Sequence, residues 1–335
     1  MKICYIGQLR GDLDEGMRNL TYHLDHQFRK NHDVQAYDPR DYKTKEFWYR
    51  IKSFNPDIIH YLHGPTLKSF VLMKLLSICC PNAKSVVSAT HPVLSYVDWQ
   101  MIRFVKSDLV LTQSIDTDLK FRKVGAKTKP LPCGVDTKKY APISPEEKKI
   151  LREKYGIKKD TFLILHIGSV RQERNIQILS DLQKKGNQIL IVGPKSTGHN
   201  KELYESLTRS GCKVWLEYIS NIQEIYAIAD CYIYPTISNY DMLGRAKIAS
   251  IEMPLTVLEA MACGLPVIST KFGALPRFLQ SKDGLIFVDR WEDIPSALDK
   301  IKNGVQVKTR EQAQNYAWEK ITIALERYYA ETLQI

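Results

Sequence analysis

The sequence predicts an α/β protein of two domains, each a parallel β-sheet with helices on both faces. Short apolar runs alternate with longer amphipathic segments along the 335-residue chain. This alternation is typical of parallel strands buried between helices. It restarts near residue 160, after turn-rich sequence between Pro132 and Pro145. We therefore predict two sheets in series, with a first domain over residues 1–141 and a second over residues 142–316.

Each predicted domain contains several short apolar runs of strand length. In the first half these runs are Lys2–Ile6, Asp57–Tyr61, Ser85–Ala89 and Leu109–Thr112. In the second half they are Thr161–Ile167, Gln188–Val192, Val214–Leu216, Cys231–Tyr234, Pro266–Ser269 and Gly284–Val288. Helical patterns lie between the first runs at Gly16–Lys30 and Lys43–Ser53, and Glu146–Lys154 leads into the second domain.

The composition is that of a globular protein, with 44% hydrophobic and 25% charged residues. The richest apolar stretch, Phe70–Cys80, is interrupted by Lys74 and is too short to span a bilayer. The N-terminal residues read as a strand and not as a signal peptide, so we expect a cytoplasmic protein. Seven cysteines occur without a CxxC pair, which predicts reduced packing residues and no zinc site.

The net charge of +11 lies mostly in the first half. Basic residues exceed acidic ones by eight in residues 1–141 and by three in residues 142–335. This asymmetry indicates an anionic partner. No nucleic-acid motif is present, so we predict contact with an anionic membrane or a phosphorylated lipid. Lys43–Phe54 fits either a basic amphipathic helix on a membrane or a helix that covers the first sheet.

The strongest local pattern is Pro254–Thr270. Leu255–Cys263 has good helix formers, Pro254 suits a helix start, and Gly264 suits a helix end. The free N–H groups at such a helix start attract phosphate. Glu259 would lie about one turn inside, near a ribose diol that a carboxylate can bind.

Pro254–Thr270 resembles the signature of the family-4 retaining glycosyltransferases. Further matches in the same order are Gly16–Arg18, Asp57–His60, Ser88–His91, Pro132–Asp136, Ile167–Arg174, Ile191–Gly193 and Ala229–Pro235. The resemblance implies the GT-B fold, in which two facing Rossmann-like domains enclose a cleft and the second binds most of the donor. It also implies that the C-terminal helix, within residues 317–335, packs back on the first domain.

The resemblance implies transfer of a sugar from a UDP- or GDP-sugar, with no metal and no cofactor. Cationic side chains after a glycine turn suit the phosphates of the leaving group. The predicted catalytic residues are His91, Arg171, Arg174 and Glu252. The predicted donor-binding residues are Gly16, Gly168, Leu255, Thr256, Val257 and Glu259.

The sequence departs from the family pattern at several positions. The first of two family glutamates would stand at position 251, where this chain has Ile251 followed by Glu252. Either the loop shifts by one residue or that glutamate's contact with the donor sugar is lost. The family's phosphate-binding arginine position is Ser169, and Arg171 is available to replace it. An additional stretch, Ser238–Ser250, lengthens the preceding loop and is expected to cover the site.

The leading hypothesis is a retaining hexosyltransferase that acts on a lipid-linked or envelope glycan precursor at the cytoplasmic membrane face. A nucleotide-sugar epimerase of the same fold is an alternative. A phosphorylase would need a cofactor-lysine motif, which we do not find. A catalytically silent sugar-nucleotide-binding homologue is a third hypothesis, motivated by Ile251 and Ser169 at two functional positions.

Overall fold

The computed structural model describes residues 1–13, 15–194, 198–248 and 250–334. Its first half contains six strands: β1 (Lys2–Ile6), β2 (Asp33–Tyr37), β3 (Ile58–Tyr61), β4 (Lys84–Ala89), β5 (Leu109–Thr112) and β6 (Thr128–Pro130). The helices between them are α1 (Gly16–Phe28), α2 (Lys45–Phe54), α3 (Leu67–Cys79), α4 (Tyr96–Ile102) and α5 (Ile115–Lys123). Every strand pairing in this sheet is parallel, in the order β2-β1-β3-β4-β5-β6.

The second half repeats this architecture. Its strands are β7 (Leu163–Ile167), β8 (Gln188–Gly193), β9 (Lys213–Leu216), β10 (Cys231–Tyr234), β11 (Val267–Thr270) and β12 (Leu285–Val288). Its helices are α6 (Pro145–Lys154), α7 (Ile178–Lys184), α8 (Lys201–Arg209), α9 (Ile222–Ala227), α10 (Leu255–Ala262), α11 (Leu275–Phe278), α12 (Ile294–Lys302) and α13 (Thr309–Ala313). The sheet order is β12-β11-β10-β7-β8-β9, again parallel. The predicted α/β class with two facing domains is confirmed.

The strands β2 and β6 were not expected from the sequence. Both lie at the edges of the first sheet, where one side of each strand lacks a neighbour. Their side chains are mostly half-buried and include Asp33 and Lys129. An edge strand is not buried on all sides, so it does not need the continuous apolar run that marks the inner strands.

A final helix, α14 (Trp318–Leu333), packs on α1 of the first domain. The indole of Trp318 stacks on His23, and the buried Tyr329 hydroxyl lies 2.5 Å from Nδ1 of His60. A β-carbon at Gly134 would collide with the Trp318 ring, so glycine is required there. The chain therefore passes from the second domain back to the first, and the predicted boundary at 141/142 lies between β6 and α6.

The apolar face of α2 is part of the first domain's core. Phe47, Ile51 and Phe54 are buried against the same cluster as the inner residues of α3, α4 and α5. The sequence of Lys43–Phe54 fitted either a membrane-bound helix or a helix that covers the first sheet, and the structure shows a helix that covers the sheet. Within the described residues, no helix is both long and apolar enough to cross a bilayer. All seven cysteines are free thiols, and only Cys79 is exposed.

Candidate active site

A cavity of about 440 Å³ lies between the two domains, where the carboxyl ends of both sheets face each other. Gly16 lies beyond β1 and His91 beyond β4, while Gly168 follows β7. Ligands bind at this edge in open parallel sheets because the loops there leave a crevice. We call this space the donor cavity. Eight of the ten predicted site residues line it: Gly16, His91, Gly168, Arg171, Arg174, Leu255, Thr256 and Glu259.

Arg171 and Arg174 reach the cavity from a tight turn after β7. The Gly168 N–H donates to the carbonyl of Val192 at 2.9 Å, which fixes the start of this turn. Arg174 ends a short 3₁₀ turn and is followed by Asn175, whose φ of 57° is left-handed. Asparagine tolerates this conformation better than most residues. The buried Arg174 guanidinium donates to the Tyr234 hydroxyl at 3.0 Å.

The N-terminus of α10 opens into the same cavity. Pro254 precedes the helix, and among the described residues no side chain caps it. Leu255 and Thr256 line the cavity, and the Tyr232 hydroxyl lies 2.8 Å from that of Thr256. An uncapped helix start offers N–H groups and the positive end of the dipole to an anion.

Val257 was predicted to bind the donor, but the structure places it elsewhere. Its side chain is fully buried in the core of the second domain and does not line the donor cavity. Its N–H donates to the carbonyl of Pro254 at 3.2 Å. The Val257 side chain thus serves apolar packing, and its predicted contact with the donor stays a prediction.

Glu259 lies on α10 with its carboxylate at the cavity wall. The hydroxyl of the buried Tyr226 donates to its Oε2 at 2.6 Å. Burial raises the pKa of Glu259, while hydrogen bonds from Tyr226 and Tyr140 act in the opposite direction. These phenols orient the carboxylate, which can still accept hydrogen bonds from a diol in the cavity.

His91 is held at the end of β4 by its main chain, whose N–H donates to the Gly64 carbonyl at 2.9 Å. Burial and the charge of Arg174 lower the pKa of His91 to about 4, although a hydrogen bond with the Ser250 main chain raises it. The ring is therefore neutral near pH 7. A neutral imidazole beside a guanidinium suits a hydrogen bond with a sugar hydroxyl and not an ion pair.

Ile251 and Glu252 face opposite directions. Ile251 lines the donor cavity opposite Gly16, where a β-carbon would lie 3.1 Å from its Cδ1 atom. Glu252 points to the first domain, where its carboxylate accepts hydrogen bonds from the Ser114 N–H at 2.9 Å and from the Thr117 hydroxyl. The loop is thus not shifted by one residue.

Glu252 was predicted to touch the donor sugar, but its side chain is not among those that line the donor cavity. Its carboxylate instead occupies the N-terminus of α5, where free N–H groups favour a negative charge. Its own N–H donates to the Thr90 carbonyl at 2.7 Å. These contacts join the two domains.

A second cavity of about 300 Å³ lies on the other side of His91. It shares His91 and Ser250 with the donor cavity. Its other lining residues include Trp99, Lys120, Tyr240, Glu252, Lys271 and Arg277. Arg277 donates to the carbonyls of Gln113 and Ser114, each at 3.1 Å, so this wall also joins the domains.

The additional loop after β10 forms one wall of the second cavity. It folds as a small hairpin in which Tyr240 bridges Ala246. Its tip reaches the first domain, where the Tyr96 N–H donates to the Leu243 carbonyl at 3.0 Å. Arg245 pairs with Asp241 at 2.8 Å within the hairpin. The expected cover over the site is thus a wall of the second cavity, with residue 249 outside the described ranges.

Tyr226 and Tyr234 are site residues that the sequence did not reveal. Each contributes a phenol that holds a predicted site residue, Glu259 and Arg174 respectively. Both sit in segments that read as ordinary core, since tyrosine is common in buried strands and helices. The available signal was that a buried tyrosine hydroxyl needs a polar partner.

The family of glycosyl transferases group 1 matches residues 147–320, which is more than half of the chain. The chain belongs to this family. The family resemblance seen in the sequence is thereby confirmed, and with it the GT-B fold. In the described part of the chain, no three His, Cys, Asp or Glu side chains lie close enough to hold a metal ion.

The curated relatives of this chain are distant. The sulfoquinovosyl transferase SQD2 of Arabidopsis thaliana is 25% identical over 316 residues, which cover 84% of this chain and 58% of that protein. A GDP-mannose-dependent monoacylated alpha-(1-6)-phosphatidylinositol monomannoside mannosyltransferase of Corynebacterium glutamicum is 28% identical, over 61% of this chain and 57% of that protein. The chain thus spans little more than half the length of these relatives.

Solved structures show the same fold over nearly the full chain. Anabaena HepE in complex with UDP-glucose superposes with a TM-score of 0.74 at 19% identity, covering 100% of this chain and 99% of that one. The sucrose-phosphate synthase of Thermosynechococcus elongatus gives a TM-score of 0.77 at 16% identity, covering 98% of both chains. At these identities the similarity concerns the fold.

Proposed function

We propose that this glycosyltransferase transfers a hexose, with retention and without a metal ion, from a UDP- or GDP-sugar to a lipid-linked or envelope glycan precursor. The observation that carries the proposal is the donor cavity. There the glycine turns, Arg171, Arg174, the uncapped start of α10 and Glu259 face one space between the domains. This set matches a diphosphate with a ribose beside it.

The charge in the cavity fits the chemistry of the leaving group. As the bond between the anomeric carbon and the diphosphate oxygen breaks, both bonding electrons leave with the diphosphate. Arg171, Arg174 and the N–H groups of α10 stabilise the added negative charge. The acceptor oxygen forms its bond on the same face of the sugar, and its proton passes to the departing phosphate oxygen.

Metal independence is proposed because the guanidinium groups and the helix start supply the positive charge that a divalent ion would otherwise bring. We expect the same rate of sugar transfer after dialysis against EDTA as with added magnesium. A rate that depends on magnesium would contradict this part of the proposal.

The proposal of UDP- and GDP-sugars as donors is based on the ligands and names of similar proteins. The HepE complexes contain UDP and UDP-glucose, and the C. glutamicum relative is described as GDP-mannose-dependent. Either nucleoside diphosphate meets the same phosphate and ribose contacts here, because the arginines, α10 and Glu259 do not read the base. We therefore propose both donors.

The acceptor is proposed to approach through the second cavity. His91 and Ser250 line both cavities, so an acceptor hydroxyl there lies next to the predicted sugar position. The C. glutamicum relative is named for a phosphatidylinositol mannoside acceptor. Together with the basic first half, this supports a phosphorylated or lipid-linked acceptor at the cytoplasmic membrane face.

Thermal unfolding with a panel of nucleotides tests the donor assignment. UDP, GDP or their sugar conjugates at a hundred times the dissociation constant should stabilise the protein by about 2.7 kcal/mol. ATP and free hexoses serve as controls and should not shift the melting curve. The active donor should then release its nucleoside diphosphate in the presence of an acceptor mixture, and no stabilisation by any sugar nucleotide would contradict the proposal.

A silent sugar-nucleotide-binding homologue is the second candidate, because Ile251 lines the donor cavity where the family has a glutamate. It predicts stabilisation by a sugar nucleotide without any release of nucleoside diphosphate. An epimerase would instead yield an isomerised sugar without an acceptor. Chromatography of the nucleotide and sugar products separates these outcomes.

A further inference from the structure

The outer side of α3 and α4 exposes several apolar side chains. On α4 and the turn after it, Val97 and Phe104 are 70% and 71% exposed, and Met101 lies between them on the same side. The hairpin tip contacts α4 and adds Met242, which is 97% exposed. The apolar face thus consists of Val71, Leu75, Ile78, Val97, Met101, Phe104, Met242 and Leu243.

This apolar face is surrounded by positive charge. Lys68 and Lys74 lie on the exposed side of α3, and Arg103 and Lys106 follow α4. Between Leu67 and Lys106 the sequence has five lysines and arginines and a single carboxylate, that of Asp98. Asp98 accepts hydrogen bonds from the N–H and the hydroxyl of Ser95, each at 2.8 Å, and so serves as a helix cap.

We propose that this face docks the protein on the surface of an anionic phospholipid bilayer. Apolar side chains surrounded by cationic ones match the interface of such a membrane. The apolar side chains insert among the acyl chains, and the lysines and arginines are attracted to the anionic headgroups. The excess of positive over negative side chains around the face complements anionic headgroups. The helix for which the sequence left membrane contact as one of two interpretations, α2, has its apolar face in the core.

The apolar face lies beside the second cavity, and the role of the docking described here rests on the proposed function. The hairpin and α4 both contribute to the second cavity, through Tyr240 and Trp99. Their outer residues, Met242 and Val97, belong to the apolar face. A protein docked there would hold the proposed acceptor cavity at the bilayer, within reach of a lipid-linked acceptor.

Co-flotation with vesicles tests the docking. We expect wild-type protein to bind vesicles of phosphatidylcholine and phosphatidylglycerol at low salt, and to bind phosphatidylcholine alone weakly. The double variant Val97→Ser, Phe104→Ser should lower the bound fraction about tenfold or more, because two inserted apolar groups are lost. Lys74→Glu with Arg103→Glu should reduce binding to the anionic vesicles and flatten its salt dependence.

Matched controls come from exposed residues elsewhere. Ile150 on α6 and Ile323 on α14 are each 67% exposed, and their serine variants should bind vesicles as the wild type does. Lys149→Glu on α6 is the control for charge reversal. All variants should keep the wild-type melting curve and its shift with nucleotide, because every substituted side chain is exposed.

The outcomes separate this proposal from the proposed function. Failure of wild-type protein to float with anionic vesicles overturns the docking, as does a Val97→Ser, Phe104→Ser variant that floats as well as its Ile150 and Ile323 controls. A dimer that this double variant abolishes, without vesicle binding, would assign the face to self-association and also overturn it. If nucleotides do not shift the melting curve of wild-type protein, this result would contradict the transferase assignment but not the docking.

Discussion

The donor cavity and the second cavity share His91 and Ser250 but use their charged side chains differently. In the donor cavity, Arg174 and Glu259 each contact a tyrosine hydroxyl, that of Tyr234 and that of Tyr226 respectively. In the second cavity, Glu252 is bound to main-chain and hydroxyl groups of the other domain. Glu259 on one side of His91 is thus placed at the wall of the donor cavity, whereas Glu252 and Arg277 on the other side hold the domains together.

The largest effect is expected from Arg174→Ala in the donor cavity. Loss of its stabilisation of the leaving group should lower turnover a hundredfold or more, about 3 kcal/mol. Release of nucleoside diphosphate at saturating donor measures it. Arg209→Ala is the control, since Arg209 is exposed at the end of α8, lines neither cavity and should have little effect. Unchanged turnover in Arg174→Ala would remove this residue from the mechanism.

Glu252→Ala should instead affect stability. It leaves the Ser114 N–H and the Thr117 hydroxyl without their acceptor and should lower the free energy of unfolding by about 2 kcal/mol. Urea denaturation measures the change, and a double-mutant cycle with Thr117→Val should show coupling. Nucleotide affinity should not change. A hundredfold slower transfer at unchanged stability would place Glu252 in the reaction chemistry after all.

Glu259→Gln should weaken donor binding about tenfold, because an uncharged acceptor replaces the carboxylate proposed to bind the ribose. Titration calorimetry with UDP or GDP measures the affinity. Tyr226→Phe removes only the phenol that orients Glu259 and should have a smaller effect in the same direction. If Glu259→Gln binds as tightly as wild type, the carboxylate is structural.

The smallest effect concerns His91, which borders both cavities. Its pKa is lowered to about 4 in the folded protein from 6.5, so the unfolded chain takes up a proton first as the pH falls. The contribution of His91 to stability is present above pH 6.5 and is lost toward pH 4. It should amount to about 1 kcal/mol between pH 7 and pH 5.5. His91→Gln should flatten the pH dependence of urea denaturation by this amount, and an identical slope would contradict the shift.

Much of the fold and the donor cavity could be predicted because the signals are local. A buried inner strand needs a continuous apolar run, and a helix start after a loop needs particular residues such as Pro254. The glycine turns, the two arginines and Glu259 belong to such short patterns, and the structure brings them to one cavity. Val257 belongs to the same pattern but packs inward, because its neighbours on α10 set which side of the helix is buried.

The sequence by itself determined two parallel sheets, the strand ends that carry the glycines, and the helix whose start opens into the cavity between the domains, since each depends on residues close together in the chain. Only the tertiary structure decided where Glu252 points, because its partners Ser114 and Thr117 belong to the other domain. The same holds for α2 and α4. The apolar side of α2 is covered by the core, whereas α4 packs Ile102 into the core and also exposes Val97 and Met101, and only the neighbouring elements decide this difference.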